Sequence, residues 1–337
     1  MNLISKRKIL FLPRTGLARD ILSQRAREIL NSLGEVVWNP HDRDYTAAEL
    51  AGMLPGVEAV VTSWGCSVFT SELLAIADRL RIVGHAAGTV KNLMPEEGYR
   101  RGIVVLSAAA VIADSVAEYT LWAMLTGQRN LLRYEPFMKR ERGWKTPVEN
   151  YGHELYHKKV GIVSASMIGR RVIKLLKPFE CDVIVYDPYL SDEEAQQMGA
   201  RRASLEQLFA TSDIVSIHAP TTPETKKMIQ AQHFRSMQDG ALLVHTARTW
   251  VLDEDALLAE LRTGRIHAVI DVFEREPLAA DHPLRDLENV FLTPHISGHT
   301  TESRARLVER IADSMRQFFA GEKPALAVPP ERLKIMA

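Results

Sequence analysis

The stretch from Lys159 to Pro188, KVGIVSASMIGRRVIKLLKPFECDVIVYDP, restricts the chain to a small set of folds, because it reads as strand, tight turn, helix and strand. Val160 to Val163 is a short apolar run closed by a turn, and Ile168 to Leu176 carries apolar residues at helical spacing between arginines and lysines. Val183 to Tyr186 gives a second buried strand, so the stretch is one βαβ unit. Asp187 follows Gly169 by 18 residues, near the offset at which such a unit holds a ribose hydroxyl. A phosphate-binding turn uses glycine at three places, and here those places hold Ser164, Ser166 and Gly169. Only the third glycine remains. A crossover without any ligand has the same pattern, so from this stretch alone both readings stand open.

The unit is not isolated. Lys8 to Leu12 is a short strand closed by Pro13 and Gly16, and Ala18 to Leu33 repeats apolar residues at helical spacing up to a Gly34 stop. Glu35 to Trp38, Ala59 to Thr62, Arg81 to Gly84 and Ile103 to Leu106 read as further strands, with helices around Ala47 to Met53 and Ser71 to Arg79. This alternation predicts a first α/β domain with a parallel sheet. Its strands end in small or polar residues, TSWG from Thr62 and HAAGT from His85, at the carboxyl edge where ligands sit on such sheets. Ser115 to Asn130 is expected to be a helix, capped by Ser115 with Glu118 three residues on. Arg133 to Tyr156 has little periodicity and holds Pro136, Gly143 and Pro147, so it is expected to be an arm packed on something, such as a second subunit. A second α/β domain then runs through strands at Val160, Val183, Ile214 to His218, Ala241 to His245 and Ala268 to Val272, before a helix from Glu302 to Phe319. The last segment, with Pro324, Pro329 and Pro330, is expected to lie on the first domain.

At 337 residues the chain can bury two cores, and its 42 basic and 42 acidic side chains cancel. That balance argues against a nucleic-acid footprint or a polybasic membrane anchor, both of which need clustered positive charge. Cys66 and Cys181 are expected to be buried free thiols, with no disulfide framework and no metal site. No apolar run approaches the roughly 18 residues of a membrane span, and no signal-peptide core is present, so a cytoplasmic location is expected.

Three polar residues end strands of the second domain: Arg248 after LLVHTA, Glu276 in DVFEREP and His295 in LTPHISGHT. A guanidinium holds a carboxylate through two parallel hydrogen bonds. An imidazole can give or take a hydroxyl proton near neutrality, and a carboxylate beside it favours the protonated ring and fixes its tautomer. Singly, each has a plain reading as a surface charge, a loop acid or a satisfied strand-end histidine.

In this order, with EGYRRGIVVLS, DSVAEYTLWAML, KKVGIVSASMIGRRV and YDP, DIVSIHAPTTPETKKMI, ALLVHTARTWVLDEDALLAELRTGRIHAVIDVFEREPL and NVFLTPHISGHT, the chain resembles the D-isomer-specific 2-hydroxyacid dehydrogenase family over almost its whole length. The resemblance implies a flavodoxin-like substrate domain built from residues 1–107 plus 299–337. It also implies a Rossmann NAD-binding domain of residues 108–298, an active-site cleft between the two, and a homodimer with 131–156 as its arm. It implies hydride transfer between NAD and a 2-oxo or D-2-hydroxy acid, with Arg248 on the substrate carboxylate, His295 as general acid/base and Glu276 paired with it. Ser166, Met167, Ile168 and Gly169 then face the cofactor diphosphate. Asp187 takes the adenine ribose and favours NAD over NADP. His218, Pro220, Thr225, Thr246, Ala247 and Asp271 line the nicotinamide side, and Ala87 and Gly88 meet the substrate. Departures are the two serines of the turn, Thr249 and Trp250 where a glycine usually follows the arginine, and AAGTVK from Ala86 to Lys91 where the family has a Gly-x-Gly-x-Asp-Asn loop. They motivate an alternative, a non-catalytic NAD-sensing or corepressor-like protein on the same scaffold.

Overall fold

Five short apolar runs form the first sheet: β1 (Lys8–Phe11), β2 (Glu35–Trp38), β3 (Val57–Thr62), β4 (Ile82–His85) and β5 (Val104–Ser107). The computed structural model describes residues 7–144, 151–334 and 336. By contact the chain divides into two units, Met1–Ile112 with His299–Ala337, and Ala113–Gly298. In the first unit every strand pair is parallel and the order is β2-β1-β3-β4-β5, the flavodoxin-like winding. The central β3 is buried at all its positions, as a strand covered on both faces must be. Around the sheet stand α1 (Thr15–Ile21), α2 (Gln24–Leu33), α3 (Ala47–Met53), α4 (Ser71–Ile76), α5 (Glu96–Arg100) and the last helix, α13 (Thr301–Phe319). The apolar repeat from Ala18 to Leu33 is two helices rather than one, because the Ser23 hydroxyl accepts the Ala26 amide at 3.1 Å and starts α2 afresh.

One face of this sheet is closed by α13, whose Leu307, Val308, Ile311, Ala312 and Met315 are buried with Ile9, Ala59 and Ile82. The approach requires glycine in β4: a Cβ on Gly84 would lie 2.3 Å from Ile311 Cγ2 and 2.8 Å from Met315 Cε. The proline-rich C-terminal segment runs antiparallel to β5, with Val328 N donating to Val105 O at 2.8 Å and Ser107 N donating to Leu326 O at 3.1 Å.

The second unit holds seven parallel strands: β6 (Lys159–Val163), β7 (Asp182–Tyr186), β8 (Arg201–Arg202), β9 (Ile214–Ile217), β10 (Leu242–His245), β11 (His267–Ile270) and β12 (Val290–Leu292). Their order, β12-β11-β10-β9-β6-β7-β8, reverses direction between β6 and β9, the Rossmann winding, whose ligand crevice lies outside the strand ends at the reversal. The helices are α6 (Ala109–Gln128), α7 (Leu131–Lys139), α8 (Met167–Leu176), α9 (Asp192–Met198), α10 (Leu205–Thr211), α11 (Ala231–Ser236) and α12 (Glu254–Leu261). β8 and β12 escape the hydrophobic pattern, being two and three residues long at the two sheet edges.

Three sequence expectations change here. Ser115 is buried inside α6 rather than capping it, since the alanine-rich stretch is itself helical and the Ser107 hydroxyl takes the Ala109 amide at 3.1 Å. The expected arm begins as α7, separated from α6 by Asn130 in a left-handed conformation, φ 50°; residues 145–150 of that arm lie outside the described residues. Cys66 and Cys181 are free but only partly buried, and burial pushes both thiols up to about 11. No helix among the described residues is long and apolar enough to cross a membrane. Gly84→Val is expected to destabilise the first unit by about 1–3 kcal/mol, the usual cost of overpacking, read as a lowered midpoint in urea unfolding.

Candidate active site

The turn between β6 and α8 is built for close approach even with serines in it. A Cβ at Gly169 would lie 2.1 Å from Ser164 O, so the helix meets the turn where only glycine fits. Ser166 is the N-cap, and its hydroxyl oxygen accepts the Gly169 amide at 3.3 Å, turning the side chain onto the helix end. No acid stands in the first turn of α8, which leaves its positive end fit for an anion such as a diphosphate. Met167 is exposed, Ile168 half-buried. Asp187, the residue after β7, is half-buried; its Oδ2 accepts the Ala165 amide at 2.9 Å and the Ser164 hydroxyl at 3.1 Å, and its Oδ1 accepts the Tyr189 amide at 2.9 Å.

His295 and Glu276 meet beyond the ends of β12 and β11. His295 Nδ1 lies 2.7 Å from Glu276 Oε2, and Glu276 Oε1 accepts the Phe273 amide at 3.1 Å. With Nδ1 engaged by the carboxylate, Nε2 is the ring nitrogen that Glu276 does not take. Burial raises the Glu276 carboxyl, but the His295 bond, the Phe273 amide and the nearby charges of His295 and Arg248 outweigh it, so the group titrates below its ordinary value. His295 has φ 54°, rare for a residue with a Cβ, so the loop must hold it there.

That hold comes from Asp271, the residue after β11, which is fully buried. Its carboxylate accepts the Ile296 and Ser297 amides, each at 2.9 Å, and the Thr293 hydroxyl. Its backbone carbonyl accepts the His295 amide at 2.9 Å. Tyr119 on α6 adds a further bond, its hydroxyl lying 2.6 Å from Thr293 Oγ1. Burial, reinforced by the Asp271 charge, pushes that phenol up to about 12, despite the opposing Thr293 bond. Sequence reading missed Tyr119 and Thr293 because the contact joins positions 174 residues apart, with no local signal.

Arg248 follows β10 by three residues and donates to the Ala247 carbonyl at 2.7 Å. More than a third of the residue is accessible, yet protein atoms crowd the guanidinium. This crowding lowers its pKa, while the charges of Glu276 and Asp271 oppose the shift and place Arg248 within their reach. An arginine stays charged under such a shift. The Trp250 indole N–H donates to Thr222 O at 2.9 Å, and the Lys226 ammonium stands 4.9 Å from its ring. It therefore braces the loop after β9, where Thr225 also donates to Pro220 O at 2.7 Å. Thr246 is buried, its hydroxyl 3.5 Å from that of Thr120.

His218 and His245, at the ends of β9 and β10, are neutral: burial pushes each down to about 3. His218 Nε2 meets Ser216 Oγ at 2.9 Å, while its Nδ1 and both nitrogens of His245 have no partner among the described residues. The turn, the open helix end, Asp187 and the unpaired His218 Nδ1 all suit a dinucleotide, so these residues fit the cofactor expected from sequence. Ala87 and Gly88 lie in the first unit, after β4; Ala87 is buried and Gly88 O accepts the Ser107 hydroxyl at 2.6 Å. Among the described residues no group of three or more His, Cys, Asp and Glu is placed to hold a metal ion.

Asp271→Asn puts an amide against two backbone N–H donors, and the resulting unpaired group is expected to cost the second unit about 1–3 kcal/mol in urea unfolding. For Glu276, the folded carboxyl titrates below the unfolded one, so the stability it lends is complete above its ordinary value of 4.5 and drains away as pH falls beneath that. Being partly exposed, the group gives a small effect. Urea midpoints measured from about pH 6 down to about pH 3 should fall more steeply for the wild type than for Glu276→Gln.

Residues 121–297 match the model described as D-isomer specific 2-hydroxyacid dehydrogenase, NAD binding domain. A D-3-phosphoglycerate dehydrogenase of Methanocaldococcus jannaschii is 32% identical over 308 residues, 91% of this chain and 57% of that protein, so the chain spans little more than half the length of that relative. A glyoxylate reductase of Korarchaeum cryptofilum is 34% identical over 269 residues, 79% of this chain and 81% of the relative. Among solved structures, a phosphoglycerate oxidoreductase from Rhizobium etli superimposes with TM-score 0.81 at 26% identity, covering 97% of this chain and 99% of the other. With both parallel sheets and these matches in hand, the chain belongs to the D-isomer-specific 2-hydroxyacid dehydrogenase family.

Proposed function

We propose that the chain is an NAD-dependent oxidoreductase that interconverts a 2-oxo acid and a D-2-hydroxy acid. The observation that carries this reading is the 2.7 Å pairing of His295 with Glu276 in the same unit as Arg248 and the open end of α8. A protein that only binds a dinucleotide has no need of a buried carboxylate anchoring a histidine in a left-handed conformation.

When bound, NAD supplies or receives the hydride at C2 of the acid. Its diphosphate would be held by the amides of Ser166, Met167 and Ile168 where Gly169 lets the helix come close, and its adenosine ribose by Asp187. His218, Pro220, Thr225, Thr246, Ala247 and Asp271 would frame the nicotinamide end. Arg248 binds the substrate carboxylate through its two parallel N–H groups and so fixes which face of C2 is presented. In the reducing direction His295 gives its Nε2 proton to the C2 oxygen as the carbonyl becomes a hydroxyl; in the oxidising direction it takes that proton back. Glu276 keeps the ring oriented through Nδ1 and stabilises it while it is protonated.

We propose further that the chain forms a homodimer through residues 131–156, where Leu131, Met138, Trp144, Tyr151 and Tyr156 are exposed. Light scattering of the intact chain checks this.

The function is tested by following NADH oxidation against glyoxylate, hydroxypyruvate, pyruvate and longer 2-oxo acids. Turnover on at least one is expected; NADH binding without turnover on any would instead favour the sensing protein. His295→Ala is expected to lower turnover by roughly two to four orders of magnitude while leaving NADH affinity nearly unchanged. An equal fall in affinity would remove the proton-transfer role from His295.

A further inference from the structure

We propose that Ser164 weakens the grip on NAD by occupying the carboxylate that serves as the ribose clamp; this rests on the reading of Asp187 given above. Two observations point the same way. Ser164 has φ 78°, a backbone conformation suited to glycine, at the first glycine place of the turn. The conformation is held by the Ser164 amide donating to Tyr186 O at 2.8 Å and by the hydroxyl donating to Asp187 Oδ2 at 3.1 Å. The second observation is the occupancy of Asp187 itself. A carboxylate offers about four acceptor sites. Three are filled from within the chain, by the Ser164 hydroxyl, the Ala165 amide and the Tyr189 amide.

A vicinal ribose diol brings two O–H donors, and one free site cannot take both. The two amide donors are fixed in the backbone. The Ser164 hydroxyl can rotate away, so it is the group that must let go when the diol arrives. Binding therefore exchanges one hydroxyl–carboxylate bond for another, and the affinity that a bare glycine turn would give is reduced. The loss is about three- to tenfold, the worth of one such bond. A cofactor with a 2′-phosphate gains nothing from freeing Asp187, because the carboxylate repels it. Ser164 thus sets the margin by which NAD is preferred as well as its affinity.

Calorimetry on the full chain with NADH and with NADPH tests this in the wild type, Ser164→Ala, Ser164→Gly and Asp187→Ala. Ser164→Ala removes the hydroxyl and keeps a Cβ on the turn, whereas Ser164→Gly also relieves the left-handed conformation. Both are expected to bind NADH about three- to tenfold tighter than the wild type, with NADPH affinity unchanged, so that the preference widens by the same factor. Asp187→Ala is expected to weaken NADH binding. Wild-type binding that Asp187→Ala weakens but neither Ser164 variant tightens overturns the inference and leaves the cofactor reading intact. Should Asp187→Ala bind NADH as the wild type does, or the wild type bind no dinucleotide, the clamp reading itself fails and the inference with it.

Discussion

The second unit depends on one device used twice: an aspartate placed directly after a strand whose carboxylate gathers the donors of a neighbouring loop. Asp187 follows β7 and takes Ser164, Ala165 and Tyr189; Asp271 follows β11 and takes Thr293, Ile296 and Ser297. Each set includes backbone amides that no sheet or helix satisfies, so the acid replaces missing secondary structure. Each also holds a residue with a Cβ in the left-handed region, Ser164 at 78° and His295 at 54°. Such conformations persist only where the surroundings over-determine them. The parallel sheet supplies the surroundings, because its strands all end at one edge and deliver both aspartates there.

Geometry of this kind divides the placing of His295 between two acids. Asp271 is fully buried and touches the His295 segment through backbone donors, whereas Glu276 stands at the surface and meets the ring itself. One fixes where the loop lies, and the other fixes how the imidazole is turned and which nitrogen is free. The two neutral histidines at the ends of β9 and β10 add polar groups to the same edge without adding charge, since burial holds both unprotonated at neutral pH. Arg248 therefore meets no like charge from those two rings.

Much of this architecture was legible in the amino-acid sequence, for identifiable reasons. Interior strands such as Val160 to Val163 are apolar runs bounded by turns, so their existence and parallel pairing follow from burial on both faces. The edge strands Arg201–Arg202 and Val290–Leu292 are too short to leave a pattern. The start of α6 was misplaced because serine at 115 looks like a cap, whereas the alanines before it are already helical and Ser107 supplies the hydroxyl. At the site, the types and order of Arg248, Glu276 and His295 were readable, and the chain brings Glu276 onto His295. What could not be read were contacts set by three-dimensional closure: Tyr119 on Thr293, Trp250 on Thr222, and the Ser164 hydroxyl on Asp187. Each joins a loop to a residue outside its own helix or strand, and periodicity carries no information about such pairs.

The two serines of the turn therefore differ in kind, although they look alike in sequence. Ser166 stands where a glycine would let the backbone near a diphosphate, and its hydroxyl is absorbed as the cap of α8, leaving the helix end open. Ser164 stands where a glycine would relieve the left-handed turn, and its hydroxyl is spent on Asp187. A glycine there would give neither strain nor a competing donor. Under the proposed cofactor placement Ser164 acts at the ribose end of the turn, because the cap bond of Ser166 satisfies a donor already belonging to the helix, whereas the bond of Ser164 occupies an acceptor of Asp187 that the ribose would need.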